Sequence, residues 1–284
     1  MADEASAGAL EIRGPALGLL DDPLELQARG LGGITNGVLW RARVRDDDGR
    51  VWRAVAPWPQ QLVSAWAPAK SSAGDVAALQ SLRPVALDLR VEAADGRTAT
   101  RTFTRRLLGD GVRVRRWREG LAATLYLPAA DAHGPAGAET TAAAGANGPA
   151  GAATTASAGA SAPDASTAAS TAAVVLDATA GEEAAVAVAL AAALLASRGV
   201  LAFAVAAPRG GVTDPAPLLA TAAELLAQVP AAADAPGGVQ ILPAPLPLPP
   251  GVPSQIREDV ARRAAAWDEL LARLGARPRA ASTR

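Results

Sequence analysis

Residues 10–127 contain runs in which apolar and polar side chains alternate at every second position, punctuated by hairpin turns, a pattern that predicts antiparallel strands with one buried face. Val38 to Arg45 reads VLWRARVR, which turns Trp40, Ala42 and Val44 inward with Val38 and leaves Arg41, Arg43 and Arg45 in water. Asp46 to Gly49 supplies a DDDG turn, and VWRAVA from Val51 returns as the partner strand. PVALDLRVEA at Pro84 to Ala93, the turn residues Asp95 and Gly96, and RTATRTFTRR from Arg97 repeat the arrangement. Five of the six tryptophans precede residue 120, so the dense packing belongs to this half.

Short strands at regular spacing across residues 8–108 predict an all-β sandwich of immunoglobulin-like type. Residues 129–172 then consist almost wholly of Ala, Gly, Thr, Ser and Pro, with no aliphatic side chain larger than alanine. Burial there cannot offset the ordering entropy, so this stretch reads as a disordered linker or insertion. On this reading the sandwich folds without the rest of the chain.

Beyond the linker the pattern changes. AVVLDA from Ala173 is a short apolar run typical of a buried parallel strand, and Glu182 and Glu183 suit the positive end of a helix running to about Ser197. Arg198 lies near that helix's negative end, Gly199 stops it, and VLAFAVAA from Val200 forms the next strand, which completes one βαβ unit. A helix is predicted from Pro215 to Val229, and the proline-rich run within 236–253 suits neither helix nor central strand. Gln255 to Leu274 repeats Ile256, Val260, Ala264, Trp267, Leu270, Leu271 and Leu274 at helical spacing, as a packed terminal helix does. This portion, an incomplete α/β sheet with exposed edges, is predicted to be the less stable half.

Charge and composition narrow the functions. The chain has 27 basic and 28 acidic residues, a balance that offers no field for nucleic acid or an anionic membrane. It has no cysteine and one histidine, which excludes disulfides, thiolate chemistry and His-rich metal sites. The first ten residues lack a secretory layout, and the apolar run from Ala184 to Ala196 is too short to span a bilayer, so a cytoplasmic location is expected.

The segments LDDPLELQARGL, VLWRARVRDDDGRVWRA and DVAALQSLRPVALDLRVEAADG resemble the amino-terminal domain of the acyl-CoA thioester hydrolase / bile acid-CoA:amino acid N-acyltransferase family. The most specific match ends in Gln80-Ser81-Leu82-Arg83-Pro84. By themselves the two runs around Glu119-Gly120 could close the sandwich or open the next domain. DGVRVRRWREGLAATLYLPA, however, resembles the paired strands that open that family's α/β-hydrolase domain. AVVLDATAG and LLASRGVLAFAVAAPRG are similar to its first buried strand, helix and second strand. The resemblance therefore implies a truncated α/β-hydrolase-like portion at 109–128 and 173–274, acyl-CoA as ligand, and thioester hydrolysis or acyl transfer as the activity.

The catalytic parts do not follow. A hydrolase of this kind places its nucleophile in G-x-S-x-G or G-x-C-x-G on a strained strand-to-helix turn, and no such pattern occurs. The oxyanion loop reads Ala178-Thr179-Ala180-Gly181-Glu182, where a carboxylate would repel the developing charge. His133 sits in the linker, where nothing orients an imidazole, and Ser81 precedes a Leu-Arg-Pro turn. Arg105, Arg106, Arg113, Arg115, Arg116 and Arg118 could hold coenzyme A phosphates. Alternation alone explains Arg113 and Arg115 as the wet face of a strand whose other face is Val112 and Val114. Asp177 is read as a cap on the following helix. No catalytic, cofactor-binding or metal-binding residue is assigned, and the expected protein is an inert form of the family. Two readings stand beside it, a non-enzymatic β-sandwich interaction module and an enzyme using residues outside the known pattern.

Overall fold

The computed structural model describes residues 9–31, 38–45, 51–57, 59, 62, 67–68, 82–117, 121–129, 172–179, 182–206, 213–242, 246–247, 249–250 and 260–279. Strands dominate it. The first part contains β1 (Glu11–Arg13), β2 (Leu17–Leu19), β3 (Gln27–Arg29), β4 (Leu39–Arg45), β5 (Val51–Ala56), β6 (Ala67–Pro68), β7 (Val85–Glu92) and β8 (Thr98–Arg106). Six of them form one sheet in the order β2-β8-β7-β4-β5-β6, and β1 pairs with β3 in a two-stranded sheet.

Both predicted hairpins form, with β4 antiparallel to β5 and β7 antiparallel to β8. Trp40, Ala42 and Val44 are buried while Arg41, Arg43 and Arg45 are exposed, as alternation requires. Gly96 takes a φ of +85° in the β7–β8 turn, a conformation that favours a residue without Cβ. The DDDG turn at 46–49 lies outside the described residues.

The second part adds β9 (Arg113–Trp117), β10 (Ala123–Leu127), β11 (Ala172–Ala178), α1 (Glu182–Ser197), β12 (Val200–Ala206), α2 (Ala216–Ala227), α3 (Pro230–Ala233), β13 (Val239–Leu242) and α4 (Val260–Arg273). Its strands make one mixed sheet in the order β13-β11-β12-β10-β9. β11 is parallel to both β12 and β13, and β10 is antiparallel to β12 and β9. The two runs around Glu119-Gly120 thus belong to this sheet.

The sheet is larger than the single βαβ unit read from the sequence. β13 is a third parallel strand, hidden from pattern reading because its four residues stand between Gly237-Gly238 and Pro243. It tolerates the proline that follows because it is at the sheet's edge among the described residues. The crossover from β11 to β12 and the return crossover from β12 past β11 to β13 therefore run in opposite directions, which for right-handed connections places their helices on opposite faces. The core divides accordingly. Val174, Leu176 and Ala202 cluster with α1 and α4, whereas Val175, Leu201 and Phe203 cluster with Leu219, Ala222 and Leu226 of α2.

One core is continuous across both parts of the chain. The cluster holding α1 and Trp267, Leu270, Leu271 and Leu274 of α4 also holds Trp40, Leu87, Leu89 and Phe103 from the inner face of the six-stranded sheet. The two parts thus share one core cluster. At the junction Arg198 is not a free charge at the end of α1. Its Nη2 donates to Asp21 Oδ1 at 2.9 Å and Asp22 Oδ1 at 2.6 Å, and Trp267 Nε1 donates to Asp21 Oδ2 at 2.9 Å. Burial alone would lower the Arg198 pKa, but the two carboxylates outweigh it and hold it above the ordinary arginine value.

Tyr126 on β10 is the chain's one tyrosine, and burial pushes its pKa up from 10.0 to about 12. Between these values the unfolded chain gives up the phenolic proton while the folded chain keeps it. This contribution to stability is thus intact below the unfolded pKa and is lost as pH rises through the window. Absorbance titration should show phenolate appearing only near the top of the window or together with unfolding. A reversible midpoint near the unperturbed value, with the fold intact, would contradict the burial.

Candidate functional site

The connections that leave the carboxyl ends of the neighbouring strands β11 and β12 go to opposite faces of the sheet, α1 to one and α2 to the other, which makes that end a topological switch point. Open α/β sheets bind ligands at that place. The polar side chains described there are Asp177 and Thr179. Asp177 is 9% exposed, and its Oδ1 accepts hydrogen bonds from the Thr179 backbone N–H at 2.9 Å and from Thr179 Oγ1 at 2.6 Å. This is a turn closed on itself two residues on, and residues 180 and 181, which join it to α1, lie outside the described residues.

The end of β13 carries less. From Pro243 to Pro253 the chain reads PAPLPLPPGVP, without a hydroxyl, thiol, carboxylate, amide or imidazole. No side chain in that segment can act as nucleophile, base or metal ligand. Among the described residues no group of three or more His, Cys, Asp or Glu could hold a metal ion.

An open groove of about 500 Å³ lies beside the end of β12, lined by Arg116, Trp117, Leu121, Ala123, Thr124 and Ala206. Trp117 packs edge-on against Phe203, with ring centroids 5.8 Å apart and planes at 84°. One guanidinium beside an aromatic wall could seat an apolar group with an anionic end. It contains no acid–base pair.

The structure does not assemble the arginine cluster into one site. Arg105 is 6% exposed and donates to the backbone oxygen of Asp22. Burial pulls its pKa down, against the raising effect of Asp22 and Asp21. Arg106 makes a two-pronged pair with Asp110, at 2.5 and 3.1 Å. Arg113, Arg115 and Arg116 are exposed on β9, which pairs with β10 alone among the described residues. Of the valines read as the face opposite Arg113 and Arg115, Val112 is half-buried against the core while Val114 is 40% exposed. Arg118, Ser81 and His133 lie outside the described residues. Glu182 and Glu183 open α1 as predicted, and their side chains lie outside the description.

Local pattern missed Asp21 as a buried partner of Arg198 and Trp267, for nothing near Leu20-Asp21-Asp22-Pro23 distinguishes it from a surface turn. No helix among the described residues is long and apolar enough to cross a membrane. No protein-family model matches the chain, and no curated protein matches it.

Proposed function

We propose that the chain is a catalytically inert relative of the acyl-CoA thioester hydrolase / bile acid-CoA:amino acid N-acyltransferase family, with an immunoglobulin-like amino-terminal part and the opening portion of an α/β-hydrolase scaffold. The observation that carries the reading is the end of β13. In a hydrolase sheet the nucleophile stands on a turn between a parallel strand and the next helix, and here that place reads PAPLPLPPGVP. The mixed sheet supports the scaffold assignment, since an antiparallel pair leads into parallel strands with helices on both faces. Acyl-CoA is the ligand that the resemblance implies, and the groove at Trp117 and Arg116 has an apolar wall and a cation for such a molecule.

Covalent acyl transfer needs an activated nucleophile, a base within hydrogen-bond reach and donors aimed at the oxyanion. Among the described residues Asp177 is hydrogen-bonded to Thr179, and neither a serine nor a histidine joins it to form such a set. The purified chain should release thiol from medium- and long-chain acyl-CoA no faster than buffer does. Because the protein has no cysteine, a thiol reagent reads coenzyme A alone. Turnover that disappears when a single serine is changed to alanine would refute inertness and identify the nucleophile.

A further inference from the structure

The solvent face of the six-stranded sheet carries more positive charge than alternation demands. An exposed strand position needs only a polar side chain, and threonine serves on β8 at Thr100 and Thr102. On β4, β5 and β7 the same face instead presents arginine. The register sets Arg43 directly across from Arg53, and Arg41 directly across from Arg90. Like charges in such positions repel and weaken the strand pair. Here two such pairs stand in successive rows, about 7 Å apart along β4.

Neutralisation is incomplete. Glu92 lies 3.8 Å from Arg41 and 3.9 Å from Arg90, and both contacts are exposed. Arg43 and Arg53 form no ion pair among the described residues. Asp88 is directly across from Arg43, yet it accepts a hydrogen bond from Thr102 Oγ1 at 2.8 Å. These side chains frame an open groove of about 650 Å³ that reaches over β4, β5, β7 and β8.

We propose that this groove binds a compact ligand bearing two or more adjacent phosphate groups, with Arg43 and Arg53 as its principal contacts. Guanidinium groups bind phosphate oxygens two at a time, and paired arginines that repel one another are relieved when an anion enters between them. The volume is that of a small-molecule site, and the four-strand width is about 14 Å. The four arginines Arg41, Arg43, Arg53 and Arg90 face two carboxylates, Asp88 and Glu92, an excess that suits a multivalent anion. Among the described residues that line the groove there is no aromatic ring on which a nucleic-acid base could stack, and Val55 is the one exposed large apolar side chain, too little for a lipid surface. This site is independent of the hydrolase-like reading.

Calorimetric titration of the full chain with inorganic pyrophosphate tests the proposal. Binding is expected, about tenfold or more tighter than for orthophosphate, and weakened about tenfold or more in the double variant Arg43→Gln/Arg53→Gln. The melting temperature of that variant should equal or exceed that of the parent, because a repulsive pair is removed, so lost binding does not reflect unfolding. Arg113→Gln/Arg115→Gln removes the same charge from β9 and should leave binding unchanged. The proposal is overturned if the parent does not bind pyrophosphate, if both double variants lose affinity equally, or if an oligothymidylate or polyglutamate binds more tightly than pyrophosphate.

Discussion

Asp21→Ala should destabilise the protein by about 3–5 kcal/mol, measured as the shift in urea unfolding, because it leaves a buried guanidinium and a buried indole N–H short of their partner. Asp21 is 1% exposed, and its carboxylate accepts from Arg198 Nη2 at 2.9 Å, Arg198 Nε at 3.3 Å and Trp267 Nε1 at 2.9 Å. Asp22 would retain a hold on Arg198, but its side chain is 18% exposed and it has no bond to the indole. Asp21→Asn keeps an oxygen for Trp267 and loses the charge, so its effect should fall between those of parent and alanine. Replacing both charges, as in Asp21→Leu/Arg198→Met, should cost less than the sum of the single changes, since no unpaired ion is left behind. A loss below about 1 kcal/mol for Asp21→Ala would mean that the pair behaves like a surface contact.

Removing α4 should have a still larger effect. A chain ending at residue 259 lacks Trp267, Leu270, Leu271 and Leu274, which are 0%, 5%, 1% and 2% exposed. At about 1.5–3 kcal/mol for each buried side chain the loss is about 6–12 kcal/mol, comparable with the whole stability of an ordinary domain. The truncated chain also loses the backbone bond from Arg277 N–H to Arg198 O at 2.9 Å, and the indole that meets Asp21. It should show no cooperative thermal transition and weak near-ultraviolet circular dichroism. Since Trp267 shares a core cluster with Trp40 and Phe103, the amino-terminal strands should lose protection from hydrogen exchange together with the mixed sheet. A truncated chain melting within a few degrees of the parent would show that α4 is an accessory to the core.

These two effects arise at the junction, which concerns function as well as stability. The contacts of Asp21 with Arg198 and Trp267 lock the arginine-bearing sheet to the mixed sheet. Ligand at Arg43 and Arg53 would therefore be held by a rigid face.

The hairpins β4–β5 and β7–β8 were legible in the sequence down to which side chain faces inward, because strand alternation has a period of two residues and is set locally. The same holds for α1, whose nearly all-apolar sequence demands burial, and for α4, whose apolar stripe demands one packed face. The composition of Pro243 to Pro253, without a nucleophilic or acid–base side chain, is likewise read from the sequence alone. Tertiary structure alone decided the rest. Residues 123–126 pair with 202–205 across the long low-complexity stretch, Val239–Leu242 completes a third parallel strand against β11, and Arg43 meets Arg53 across β4 and β5. Asp21 meets Arg198 and Trp267 across 177 and 246 residues of chain. Register and docking follow from the burial of surfaces far apart in sequence, and no local pattern of residues carries that information.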